Sequence, residues 1–218
     1  MTGRLVEACH RFNAAHPWDH NARYHRWILQ QLPPQPDRVL DIGCGTGGFA
    51  RQLAQRAAVV DAVDSDARVI RIATAESEGT SVTYHLGDAL DCSLHPGYAV
   101  ITCLAALHHL PFTTAVEHWR GLLAPGGTLV VLGTYRETTA VDRLLSLVAV
   151  AANLAVGGWR AVRAGSAPTA RPVAMTASTR PPTLSLRQIR RLSAAGLPGA
   201  RIRRRLFWRF TLVYRAAG

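Results

Sequence analysis

From residue 38 onward, apolar residues fall into short blocks whose period switches back and forth between that of a strand and that of a helix. Arg38–Ile42, Val59–Val63, Val82–Leu86 and Tyr98–Leu104 are compact apolar runs closed by turn residues or acids, and they predict strands. Thr128–Leu132, entered through Pro125-Gly126-Gly127, predicts a fifth. Between them, Phe49–Ala58, Ala67–Ser77 and Thr114–Leu123 carry helical spacing. This alternation implies parallel βαβ units with helices on both faces of the sheet.

The flanks follow other patterns. Residues 3–32 read as helical, with breaks near Pro17 and Pro33; Leu5, Cys9 and Phe12 share one face, and Tyr24, Trp27 and Ile28 another. After the fifth strand, Ala140–Val156 predicts an apolar helix, followed by a stretch rich in Gly, Pro, Ser, Thr and Arg. Within that helix Leu144, Leu147, Val148, Ala151 and Leu154 predict the buried face, which leaves Leu145 and Val150 to meet an apolar ligand. Gly157-Gly158 and Pro181-Pro182 bracket a segment suited to a hinged lid. Ser185–Ala195 predicts a helix capped by Ser185, with Asp66 expected to cap the helix from Ala67 in the same way. Ala200–Leu206 and Arg209–Arg215 predict a closing, antiparallel pair of strands.

The expected organisation is one domain over 1–218. It comprises a helical arm (1–36), a core (37–135), a lid-like insertion (136–183), and a closing helix and strand pair (184–218). A chain of 218 residues with 48% hydrophobic composition has enough apolar surface for one core. Residues 1–30 lack an apolar signal segment, and Leu144–Val156 is too short to span a bilayer, so a cytoplasmic protein is expected. The four cysteines, Cys9, Cys44, Cys92 and Cys103, show no metal-type spacing and predict reduced thiols and no metal site.

Charge divides the chain. Residues 1–142 hold 11 Arg against all 14 acids, a balance of −3, whereas residues 143–218 hold 14 Arg and no acid, a balance of +14. Such a half could meet nucleic acid, an anionic membrane or an anionic ligand; a chain that uses Arg for every basic position also places it on solvated faces by composition alone. Arg201, Arg203 and Arg205 alternate along a predicted strand, which suits a solvated sheet edge. Tight nucleic-acid binding is therefore not expected.

The candidate chemistry begins at Gly43-Cys44-Gly45-Thr46-Gly47, between a predicted strand and a predicted helix. Glycines there permit a tight turn and let a ligand lie against the backbone, with free N–H groups at the helix start. Asp64, at the end of the second strand, can accept hydrogen bonds from ribose hydroxyls. Both features also suit a dinucleotide, whose glycine pattern Gly43, Gly45 and Gly48 would satisfy.

Val39-Leu40-Asp41-Ile42-Gly43-Cys44-Gly45-Thr46-Gly47 resembles the signature strand and loop of class I S-adenosylmethionine methyltransferases. Val63-Asp64, Gly87-Asp88-Ala89, Tyr98–Leu110 and Leu123–Leu129 resemble the later motifs of that family, in the expected order. The resemblance implies a Rossmann-like α/β fold with a mostly parallel seven-stranded sheet and an antiparallel C-terminal strand. Its cofactor would be S-adenosyl-L-methionine, with S-adenosyl-L-homocysteine as product. Asp41 would steady the loop and the methionine amine side, with Gly43, Cys44, Gly45 and Gly47 lining it. Asp64 and Ser65 would meet the ribose, Asp88 and Ala89 the adenine, and Leu104 would close the pocket at the fourth strand.

His108 and His109 follow the fourth strand, where this fold opens its cleft; either could take a proton from an acceptor, with His109 favoured, or merely shape the loop. His16, Trp18, His20 and Tyr24 form a second cluster, in an arm that methyltransferases of this kind often fold over the cofactor. His16, His20 and Tyr24 would share a helical face. They are candidate acceptor-binding residues, and a plain packed surface helix is the alternative. No base-methylating Pro-Pro-aromatic pattern, arginine-methylating acid pair or metal-binding acid triad is present. The expected acceptor is therefore an O, N, S or C atom of a small organic molecule, such as a secondary metabolite or a thiol. The alternatives are RNA methylation through the Arg-rich half and a non-catalytic cofactor-binding partner subunit.

Overall fold

The computed structural model describes residues 20–164 and 180–218. Helix α1 (Ala22–Leu29) lies ahead of the alternating core β1 (Arg38–Ile42), α2 (Gly48–Ala54), β2 (Val59–Asp64), α3 (Ala67–Glu76), β3 (Val82–Leu86) and β4 (Tyr98–Leu104). A 3-10 turn (Leu107–His109), α4 (Phe112–Leu122), β5 (Leu123–Thr134) and the long α5 (Ala140–Ala164) follow. Helix α6 (Leu186–Gly196) and the strands β6 (Arg201–Arg205) and β7 (Arg209–Arg215) close the described chain.

All seven strands join one sheet in the order β3-β2-β1-β4-β5-β7-β6. The first five run parallel, while β7 pairs antiparallel with both β5 and β6. Side chains alternate across the sheet and build a core on each face. Leu40, Ile101, Trp119, Leu129 and Phe210 belong to one, toward α4 and α6. Ile28, Leu53, Val60, Val130 and Val213 belong to the other, toward α1 and α2. Asp66 caps α3 by accepting from Arg68 N, and Ser185 forms a capping box with Gln188 at α6.

The strands β1, β3 and β4 have the bounds expected from periodicity. Strand β5 starts earlier, at Leu123, because Tyr98 pairs with Leu123 and a register shift then absorbs the Pro-Gly-Gly turn. Helix α2 stops at Ala54 instead of Ala58; Ala58 N is already bonded to Pro36 O on the way into β2. Helix α5 continues through Gly157-Gly158 to Ala164, since two glycines cost only about 1 kcal/mol each in a long helix. The part of the arm before residue 20 lies outside the described residues.

The orientation of α5 reverses the expectation. Leu144, Leu147 and Val148 are 61%, 69% and 47% exposed, whereas Asp142, Ala149 and Asn153 are buried and Leu145 and Val150 are half-buried. Polar residues turn inward because each finds a partner. Asp142 accepts from Thr138 N, Thr139 N and Thr139 Oγ1 and is ion-paired with Arg204 at 2.9 Å. Ser146 accepts from Trp208 Nε1 at 2.8 Å, and Asn153 Oδ1 lies 3.1 Å from His20 Nε2. Apolar spacing alone does not register these bonds, so it identified the stripe but assigned it to the wrong side.

Candidate cofactor and acceptor site

The strand order reverses between β1 and β4, and in open α/β sheets this is where a crevice opens beyond the carboxyl ends of the strands. The loop after β1 lies at this point. Gly43 and Gly45 adopt φ +70° and +54°, conformations that favour glycine. A β-carbon at Gly43 would collide with the Ala106 β-carbon, whereas one at Gly45 would meet nothing within 4 Å and project into open space. That open backbone is the cradle in which a ligand could lie. Gly47 caps the start of α2, also in the left-handed region.

The loop is tied to β2 and not to Asp41. Gly43 N and Cys44 N both donate to Val63 O, at 2.8 and 3.1 Å. Asp64 Oδ2 accepts from Gly45 N at 2.9 Å, and its Oδ1 accepts from Asp66 N at 3.0 Å. The carboxylate is thereby held across the loop mouth, with lone pairs left on both oxygens. Asp41 instead accepts from Thr102 Oγ1 of β4 at 2.7 Å, its register partner, and is 2% exposed. Burial pushes its carboxyl up to about 7, despite the Thr102 hydrogen bond. Cys44 is buried, its thiol also raised by burial.

Asp88 is exposed and closes a turn by accepting from Leu90 N at 2.8 Å, while Ala89 beside it is buried. Ser65 is exposed directly after β2, and Leu104, half-buried, ends β4. The next residue, Ala105, holds φ +56°, a left-handed conformation that costs a non-glycine residue about 1–3 kcal/mol and tends to occur at functional sites.

His108 and His109 occupy the 3-10 turn that follows, with ring centroids 4.0 Å apart. Burial, with His109 and Arg209 nearby, lowers His108 to about 4; His109, more exposed, is lowered by burial and by Arg180. Both shifts favour the neutral imidazole, the form that can accept a proton. His108 Nδ1 is buried without a hydrogen-bond partner.

The arm residues gather elsewhere. Tyr24 is buried and donates from its hydroxyl to Leu206 O at 2.9 Å, and the His20 ring lies 5.2 Å from that of Phe207. These two contacts bind the arm to the β6–β7 turn and, through Asn153, to α5, not to the glycine loop. His16 and Trp18 lie outside the described residues. His25 connects α1 to α2 through Gln52, at 3.1 Å.

Sequence reading missed several supports. Arg51 donates to Thr46 O at 3.0 Å and pairs with Glu76 at 2.8 Å, fastening the loop to α3. Its place four residues after Gly47, one helical turn away, was the available signal. Thr102 and Val63 O gave none, because cross-strand register is not written locally. Among the described residues, no group of three His, Cys, Asp or Glu could hold a metal ion.

Residues 39–127 match a family described as methyltransferase domain. An uncharacterized methyltransferase of Mycobacterium tuberculosis is 35% identical over 205 residues, covering 92% of this chain and 98% of that protein. A ubiquinone biosynthesis O-methyltransferase of Thiobacillus denitrificans is 32% identical over 57% of this chain and 58% of its own length. Among solved structures, the magnesium protoporphyrin IX methyltransferase of Synechocystis, with bound S-adenosylhomocysteine, superposes with a TM-score of 0.57 at 20% identity. That match covers 90% of this chain and 82% of that protein.

Proposed function

The chain belongs to the class I S-adenosylmethionine-dependent methyltransferases, and from that premise we propose that it methylates an O, N, S or C atom of a small organic acceptor. The carrying observation is the open backbone at Gly45, with Asp64 Oδ2 bonded to Gly45 N and with His108 and His109 together in the turn that follows β4, the strand beside β1. In this reading Asp64 and Ser65 hold ribose hydroxyls, Asp88 and Ala89 meet the adenine, and Asp41 lies toward the methionine ammonium. Cys44 and Leu104 complete the walls.

The bound cofactor supplies an electrophilic methyl group, so the protein's share is orientation, exclusion of water and proton removal. His109, the more exposed ring, takes the acceptor's proton, and His108 orients it. The O-methyltransferase relative supports a hydroxyl acceptor, for which such a base is useful. The arm, joined to α5 through His20 and Asn153, is fixed at the β6–β7 turn, so this reading gives it no contact with the cofactor.

The test is incubation of the protein with methyl-labelled S-adenosylmethionine and a cell extract, followed by fractionation. Label appearing in a small molecule, dependent on the protein and lost in Asp64→Ala, is the expected result. Label in RNA or polypeptide, or none in any fraction, overturns the reading.

A further inference from the structure

Helix α5 is amphipathic in the reverse sense for a helix packed on a soluble core. Its inner side carries Asp142, Ser146 and Asn153, each hydrogen-bonded. Its outer side presents Val141, Leu144, Leu147 and Val148, exposed by 52%, 61%, 69% and 47%, and continues through the exposed Ala151 and Ala155. These positions repeat every three or four residues, so the exposed side is a continuous aliphatic ridge along four turns. Large aliphatic side chains are seldom left in water in a contiguous row without a partner.

Charge indicates the kind of partner. Arg143 is exposed beside the ridge, and Arg136 and Glu137 are exposed just before the helix, Glu137 accepting from Ser146 Oγ. Residues 143–218 contain 14 Arg and no acid, and Arg201 and Arg203 are exposed on the sheet edge. A second copy of the chain would bring two Arg-rich surfaces of net positive charge together, and like charges at an interface oppose association. Residues 165–179 offer only Val173 and Met175 as large apolar side chains, too few to cover four aliphatics. A surface that is both apolar just below its boundary and negative at it satisfies both features. No described helix is long and apolar enough to cross a membrane, so the contact would lie in the plane of the interface.

We propose that the outer face of α5 docks on the surface of an anionic phospholipid bilayer, with its aliphatic ridge at the acyl boundary and the surrounding arginines among the headgroups. Because α5 leaves the end of β5 next to the cofactor crevice, docking would hold that crevice at the bilayer surface. The proposal does not depend on which acceptor is methylated, since its readout is vesicle binding.

The test is co-sedimentation of the full-length protein with phosphatidylcholine vesicles, with and without phosphatidylglycerol. Binding is expected only to the anionic vesicles and should weaken as salt is raised. The double substitution Leu144→Ser/Leu147→Ser should lower the partition coefficient by at least about tenfold, because it removes much of the inserting surface. Both side chains are exposed, so the variant should keep its thermal unfolding midpoint and its affinity for S-adenosylhomocysteine. Arg143→Glu should weaken binding and leave the ridge intact. Failure of the intact protein to bind either vesicle, or equal binding by the double variant, overturns the proposal. So does a concentration-dependent dimer that Leu147→Ser dissolves, which would assign the ridge to a second copy.

Discussion

Asp41 and Thr102 form a buried acceptor–donor pair between β1 and β4, and their proton balance yields a sharp prediction. With its carboxyl raised to about 7, Asp41 retains a proton at pH 6 that an ordinary carboxyl would have lost. A cationic ammonium placed beside it favours the ionised form. Binding of S-adenosylhomocysteine at pH 6 should therefore release close to one proton, visible as a dependence of the calorimetric enthalpy on the buffer's ionisation enthalpy. Asp41→Asn should abolish that dependence, and a wild-type enthalpy that is the same in every buffer would contradict the placement. Asp64 makes a second prediction. Loss of hydrogen bonds to a charged acceptor costs about 1.5–3 kcal/mol each, so Asp64→Ala should weaken S-adenosylhomocysteine at least about tenfold in the same calorimeter.

Among the elements, α5 depends on its first turn. Asp142 caps three donors and faces Arg204, which is itself only 25% exposed. Asp142→Ala removes the cap and leaves the guanidinium uncompensated, at a cost of about 2–4 kcal/mol in urea unfolding. At α6, Ser185→Ala removes one side of the capping box and should cost about 1 kcal/mol. If Asp142→Ala cost no more than Ser185→Ala, the ion pair would contribute nothing to holding α5. The β6–β7 turn shows the same dependence on tertiary partners. Phe207 and Trp208 both hold φ +59°, unusual for bulky residues, and they are held there by the His20 ring and by Ser146.

For the molecule as a whole, His108 sets one part of the dependence of stability on pH. Its value is lowered to about 4 in the folded chain, against 6.5 ordinarily, so between those values the unfolded chain binds a proton that the folded chain does not. Stability from this group is complete above pH 6.5 and is lost as pH falls toward 4. The melting temperature should therefore drop less between pH 6.5 and pH 4.5 in His108→Gln than in the wild type. Charge distribution leads to a further expectation. Arg201 and Arg203 lie exposed along an edge strand, an arrangement that discourages edge-to-edge pairing, and tight nucleic-acid binding is not expected of it. Submicromolar RNA binding that falls steeply with salt would oppose it.

Much of the architecture was legible because its signals are local. Apolar blocks bounded by turn residues mark β1, β3 and β4 to the residue, Asp66 and Ser185 mark two helix starts, and the glycine loop declares its own backbone geometry. The order of the motifs added the family, and the family a mostly parallel seven-stranded sheet with an antiparallel C-terminal strand. Wherever a residue's role depends on a partner far along the chain, the local pattern was silent or misleading. Asp41 faces Thr102, 61 residues away; Tyr24 reaches Leu206 across 182 residues, and His20 reaches Asn153 across 133. The stripe of α5 is the clearest case. Spacing defines two sides of a helix, but only the positions of Arg204, Trp208 and His20 decide which one faces the protein, because a satisfied buried polar group costs little and an unsatisfied one costs much.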